Sequence, residues 1–289
     1  MTTPHATHIA PETLAAQTTE KSTTGQREQL SDTVRLDINE GIATVWLTRA
    51  DKHNAVTEQT LHGIEKAQKR IRKDRSIRAV IIAGEGDSFC SGLDFPSLLK
   101  RPLLAARLYL QLFLPYANLF QRWSMGWRKL DVPVIAAIEG HCYGAGIQLA
   151  LGADFRIAHP DSQMSVMEIR WGLIPDMGGP TLLRELLRID VAKDLMMTGR
   201  VLSATQAAEL GLITRLDDNP LAAAREQAKS LVAQPRNALA QAKQLVQRAW
   251  GASEYASLRL ERIAQLAIMA KAEQRDVVQS RMRKRKSKA

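Results

Sequence analysis

Residues 167–179 read MEIRWGLIPDMGG, a stretch poor in polar side chains that still carries a carboxylate at Glu168 and another at Asp176. Two acids in one Gly- and Pro-rich loop raise the question of proton-transfer chemistry, for which Asp and Glu are common agents. The plainer assignment is salt bridging to Arg170. These residues alone leave both open.

A second kind of chemistry is suggested by GHCYGAGIQLALGAD, residues 140–154. It follows an apolar strand and enters a helix, so the NH groups of its first turn have no intrahelical acceptor. Gly144-Ala145-Gly146 starts like a dinucleotide fingerprint, but Leu149 stands where the third glycine belongs, which argues against nicotinamide binding. Exposed NH groups also suit an oxyanion that forms only during a reaction. A Gly-enabled packing turn accounts for the stretch equally well. The loop FCSGLD, residues 89–94, is a similar place, where Gly92 allows the chain to turn and leaves the NH of Leu93 available. Two such loops are able to converge on one oxygen.

The elements that must position these loops read as an α/β pattern. VRLDI and IATVWLT are β-rich runs separated by Asn39-Glu40-Gly41, which predicts a hairpin. Leu61, Ile64 and Ile71 lie near helical spacing, with Thr57 as N-cap. IRAVIIA and VIAAIEG are buried strands, and Asp154–Ile157 and Ser165–Met167 are further strands. A Leu-rich stretch reaching residue 128 is predicted helical, and Ser203 and Gly211 bracket another helix as N-cap and C′ residue. Strands alternate with helices to about residue 216 and helices follow, implying an α/β core with a helical C-terminal part. The expected divisions are a disordered Thr-rich extension over residues 1–30, a core over 31–216, helices over 217–280 and a basic tail over 281–289.

Composition narrows the classes. Hydrophobic residues at 45% and charged residues at 24% are ordinary for a packed fold. Cys90 and Cys142 form no CxxC pair and are too few for a disulfide framework, which points to a reducing compartment and buried, inert thiols. No apolar run is long enough to span a bilayer, and the N-terminus lacks a signal-peptide layout, so the chain is expected in the cytoplasm. Much of the net charge of +10 sits in RMRKRKSKA at the C-terminus, where a solvated run is the ordinary reading. The six histidines are scattered, and no GxSxG, Walker or HExxH motif is present, so no metal site is expected. His141 beside Cys142 is no dyad, because neighbours on a strand point to opposite faces.

FCSGLD, GHCYGAGIQLALGADFRIA, MEIRWGLIPDMGGPTLLRELL and TGRVLSATQAAELGLI occur in an order and spacing that resemble the crotonase (enoyl-CoA hydratase/isomerase) family over about residues 34–280. The resemblance implies a ββα spiral core with a C-terminal helical region, a homotrimer or hexamer, and an acyl-CoA thioester as substrate. It implies no separate cofactor, coenzyme A being part of the substrate. Its oxyanion amides fall on Leu93 and Ala145, where the family often has glycine at the second place. Of two carboxylates that flank a water in the family's hydratases, one falls on Glu168; the other position is Gln148, which orients water but takes no proton at neutral pH. Asp176 lies where related dienoyl-CoA isomerases carry an extra acid, so Glu168 and Asp176 are expected to move a proton between carbons and shift a double bond. By the same resemblance the acyl-CoA lies against Lys52, His53, Ala55, Ser91, Gly92, Asp94, Gly144 and Met167. Water addition by Glu168 alone is the alternative. A more remote one is an RNA-binding protein on the same scaffold using its basic tail; aromatic content of 5% offers few stacking platforms, and nucleic acid is not an expected partner.

Overall fold

The structure, a computed structural model, describes residues 25–100, 102–113 and 117–286. Strands β1 (Gln26–Ser31), β2 (Val34–Asn39) and β3 (Ile42–Leu47) form an antiparallel meander. The predicted hairpin turn is Glu40–Gly41, with φ of 50° and 76°, the left-handed geometry that matches strand twist in a two-residue loop. The expected disordered extension is corrected at its end: residues 26–30 pair with β2, and residues 1–24 lie outside the described residues. QREQLS hides this strand because it is an edge strand that buries Leu30 alone.

Helix α1 (Glu58–Lys73) starts at Thr57, whose side chain accepts from the Thr60 amide while Thr60 returns the bond. It leads to β4 (Ala79–Gly84). The Leu-rich stretch is broken into α2 (Phe95–Leu99), α3 (Pro102–Leu110), a 3-10 turn and α4 (Leu119–Arg128). Pro102 cannot continue the preceding helix but suits the first position of a new one, which explains the break between α2 and α3. Next come β5 (Val134–Ile138), β6 (His141–Tyr143), α5 (Ala145–Leu151), β7 (Phe155–Ala158) and β8 (Gln163–Ser165). The strand expected at 165–167 thus ends two residues early, and Glu168–Trp171 is a 3-10 turn. The chain continues through α6 (Gly179–Leu183), α7 (Ile189–Thr198), β9 (Leu202–Ser203), α8 (Ala204–Glu209) and β10 (Arg215–Leu216).

The larger sheet has the order β1-β2-β3-β4-β5-β7-β10, parallel from β3 onward. Alternate residues explain why its central strands read as unbroken apolar runs. Val45, Val80, Ile82, Val134 and Ala136 face one core, while Ile42, Ile81, Ile135 and Ile157 face a second core closed by Ala223, Ala224 and Ala228. Those alanines belong to α9 (Pro220–Val232), the first of four C-terminal helices with α10 (Arg236–Ala249), α11 (Glu254–Met269) and α12 (Ala272–Lys286). Residues 281–286 continue α12 rather than starting a separate tail, since Arg and Lys favour helix; residues 287–289 lie outside the described residues.

A smaller sheet, β6-β8-β9, sits beside the larger one. The loops leaving the C-terminal ends of β4 and β5, which are parallel neighbours, are thereby brought together, as in other parallel sheets. Among the described residues no helix is long and apolar enough to cross a membrane.

Candidate active site

Cys90 donates to His141 O at 2.9 Å and Tyr143 donates back to Cys90 O at 2.9 Å, so the β4 loop is zipped onto β6. Gly92 follows with φ of 103°, which a side chain would resist, and a Cβ there would lie 3.3 Å from Tyr143 O and 3.9 Å from Ala145 N. The Leu93 and Ala145 amides therefore stand next to each other. Neither donates to a protein acceptor among the described residues. Ala145 opens α5 behind Gly144, which supplies no side-chain cap, and Trp123 of α4 holds this first turn by donating from Nε1 to Ala145 O at 2.8 Å.

Glu168 begins the 3-10 turn after β8, and its Oε1 comes to lie beside Gly144, the residue before the Ala145 amide. A Cβ on Gly144 would lie 3.6 Å from Glu168 Oε1 and 3.9 Å from both Gly92 Cα and Met167 Cγ, so Gly92, Gly144, Met167 and Glu168 surround one small space. Gln148, 1% exposed on α5, donates from Nε2 to Glu168 Oε1 at 2.6 Å. Glu168 Oε2 is buried and has no hydrogen-bond partner among the described residues.

Burial raises the Glu168 carboxyl above its ordinary value; its own backbone NH and Gln148 oppose the rise, and the negative charge of Asp176 adds to it. Asp176 is more exposed, yet the surrounding protein raises its carboxyl as well, against the pull of its own NH. No hydrogen bond joins the two acids, and neither forms an ion pair with Arg170 among the described residues. The salt-bridge assignment of these carboxylates therefore fails. Both thiols are fully buried, which pushes Cys90 up to about 12 and Cys142 well above the usual thiol range, so neither is a nucleophile near neutral pH.

The 52–55 segment lies against the same loop. Ser91 N donates to His53 O at 2.9 Å, Val56 N to Gly92 O at 2.8 Å and Asp94 N to Val56 O at 2.9 Å. Lys52 and His53 are exposed beside Ser91, and Ala55 is half-buried. The Asp94 carboxylate accepts from Arg49 Nη1 at 2.7 Å and from the Ser97 amide at 3.1 Å, so it ties α2 to the 49–56 segment. An acid three residues before a helix amide is a cap signal readable in the sequence. Two features escaped sequence reading. One is the clamp of Gln148 Oε1 by the amides of Met177 and Gly179, at 2.9 and 3.0 Å; the other is a stack of Phe95 on Trp171. Both are long-range contacts with no local pattern.

A twisted, mostly parallel sheet carrying a small second sheet, with two loop amides and one acid at their junction, is the crotonase architecture. The pattern of the Enoyl-CoA hydratase/isomerase family matches residues 37–288, and the chain belongs to that family. The chain is 32% identical over 251 residues to the 1,2-epoxyphenylacetyl-CoA isomerase of Escherichia coli K12, covering 86% of this chain and 94% of that protein. It is 31% identical over 219 residues to the carnitinyl-CoA dehydratase of Salmonella typhi, covering 75% of this chain and 80% of that one. The crystal structure of an enoyl-CoA hydratase from Polaromonas sp. JS666 superposes with a TM-score of 0.79 at 27% identity, over 87% of this chain and 97% of the other. Some relatives are much longer: the match to the peroxisomal bifunctional enzyme of Danio rerio spans 26% of that protein.

Proposed function

We propose that the chain is an acyl-CoA enzyme that adds water to a 2-enoyl thioester, or removes it, through an enolate held by the Leu93 and Ala145 amides. The observation that carries this reading is the free, buried Oε2 of Glu168 beside two unengaged amides. Glu168 takes a proton from water, the water oxygen bonds to C3, and the C2=C3 electrons move onto the thioester oxygen. The same carboxyl then gives the proton to C2. Each amide stabilises the developing charge by roughly 2.7–4 kcal/mol. A carboxyl raised above its ordinary value by burial gives up its proton less readily, which helps it return the proton it takes. Gln148 supports hydration over a pure proton shuttle, because the second hydrogen of its Nε2 is available to a water shared with Glu168. The hydratase and dehydratase names among the relatives point the same way, against the initial preference for an isomerase.

One observation favours the double-bond shift as a second reading: Asp176 is near enough for its charge to raise Glu168, so a proton taken by one acid is returned by the other. The isomerase among the relatives fits this. Incubation of a 2-enoyl-CoA in H2 18O separates the two. The hydration reading expects labelled 3-hydroxyacyl-CoA; a 3-enoyl product without label overturns it in favour of the shift.

A further inference from the structure

The chain leaving the Leu93 amide and the chain leaving Glu168 meet again in one aromatic contact. Gly92 abuts Ala145, and Gly144 abuts Glu168, on the inner side. From Leu93 the chain runs out to Phe95, whose amide donates to Leu93 O at 3.0 Å; from Glu168 it runs through the 3-10 turn to Trp171. Phe95 and Trp171 then meet, with ring centroids 4.9 Å apart and planes 28° from parallel. Each ring is thus fixed, through a few backbone bonds, to one half of the site. Trp171 nevertheless remains 58% exposed, although tryptophan is buried in most proteins. A stacked indole that keeps more than half its surface exposed, three residues from Glu168, offers a flat apolar surface to a ligand at the site.

We infer that Phe95 and Trp171 form the specificity-determining wall for the acyl group, and that this wall favours thioesters whose acyl part carries a flat aromatic or conjugated ring over straight chains of equal carbon number. The inference rests on the acyl-CoA reading above. A planar group gains offset stacking on the indole and has few rotors to freeze. An alkyl tail meets the same surface with dispersion alone and loses torsional freedom at each methylene. Phe95, stacked 28° from parallel, sets the tilt of Trp171.

The comparison of trans-cinnamoyl-CoA with trans-2-nonenoyl-CoA, which have equal acyl carbon counts, tests this. The parent is expected to favour the cinnamoyl substrate in kcat/KM, and Trp171→Leu, which keeps apolar bulk without a flat face, to lower that ratio about tenfold. Trp171→Phe is expected to retain most of it. A ratio unchanged in Trp171→Leu overturns the inference, whether or not both rates fall, since a merely structural strut would lower both alike. Calorimetric binding of 3-phenylpropionyl-CoA and nonanoyl-CoA reads the same ratio without turnover. Selective binding with no hydrated product would sink the hydration reading and leave the wall standing; equal binding of both thioesters to parent and variant would sink the wall; and no binding of either would sink both.

Discussion

Gln148 donates to Glu168 across 2.6 Å, and the direction of that bond is fixed from the far end of the amide. Its oxygen already accepts from the amides of Met177 and Gly179, so the NH2 group must face Glu168. The carboxylate is held by one oxygen and left open at the other. The turn that follows Asp176 therefore orients Glu168 through a residue on a different helix.

Gln148→Glu would replace this donor with an acceptor. Two carboxylates at such a distance do not both ionise, and the Met177 and Gly179 amides favour charge on position 148, so the shared proton goes to Glu168. The pH profile of kcat/KM is expected to move its acidic limb upward by about 1 unit or more. A limb that stays in place would show that position 148 does not set the ionisation of Glu168.

Glu168→Gln should lower turnover steeply and raise stability together. An amide at 168 keeps an oxygen for Gln148 and no longer has to hold a charge in a buried place. The folded carboxyl is raised, so the native state binds the proton more tightly than the unfolded state does. The cost is absent below the ordinary glutamate value, grows as pH rises through the interval up to the raised value, and is full above it. The Tm advantage of the variant is therefore expected to be small near about pH 4 and larger near about pH 8, with kcat lowered about 10²–10⁴-fold. An advantage that shrinks with rising pH would contradict this sign.

Much of the site was legible because its parts are local. Gly92 and Gly144 announce their turns, Thr57 and Ser203 announce their helices, and the apolar runs of β4 and β5 announce strands buried on both faces. Strand β1 was hidden because an edge strand needs only Leu30 inside. The bond from Arg49 to Asp94 was not legible, because the two stand 45 residues apart in the chain. The partners of Gln148 were equally unreadable, since they reach it only after α6 packs on α5. Local chemistry was visible; the contacts that aim it were not.

Gly92→Ala tests the paired amides. Position 92 has φ of 103°, and a methyl would sit 3.3 Å from Tyr143 O, so relief of either strain turns the Leu93 NH away from Ala145. Loss of one such donor is expected to lower kcat by about 10²–10³ with little change in KM. Steady-state kinetics on a 2-enoyl-CoA checks this. A variant with a normal kcat would mean that Leu93 is not one of the donors.

Lys243 decides whether the C-terminal helices belong to the core's cooperative unit. It projects from α10 with its side chain 8% exposed, donates to Trp127 O and Val132 O at 3.1 and 2.9 Å, and pairs with Asp154 at 2.8 Å. Asp154 in turn accepts from Val134 N at 2.7 Å, at the start of a central strand. Lys243→Ala would leave the Asp154 carboxylate with one partner and Val132 O with none among the described residues, a loss of about 3–5 kcal/mol for a buried pair broken on one side. Lys243→Met keeps the packing and should lose less if burial of the stem matters, or as much if the charge does. If α10 to α12 melt with the sheet, both variants will lower a single Tm; if they are a separate unit, limited proteolysis will remove residues beyond α9 while the far-UV signal of the sheet persists. The first outcome is expected, because Lys243 reaches past the helix that carries it to Val132 O and to Asp154, which holds the start of β5.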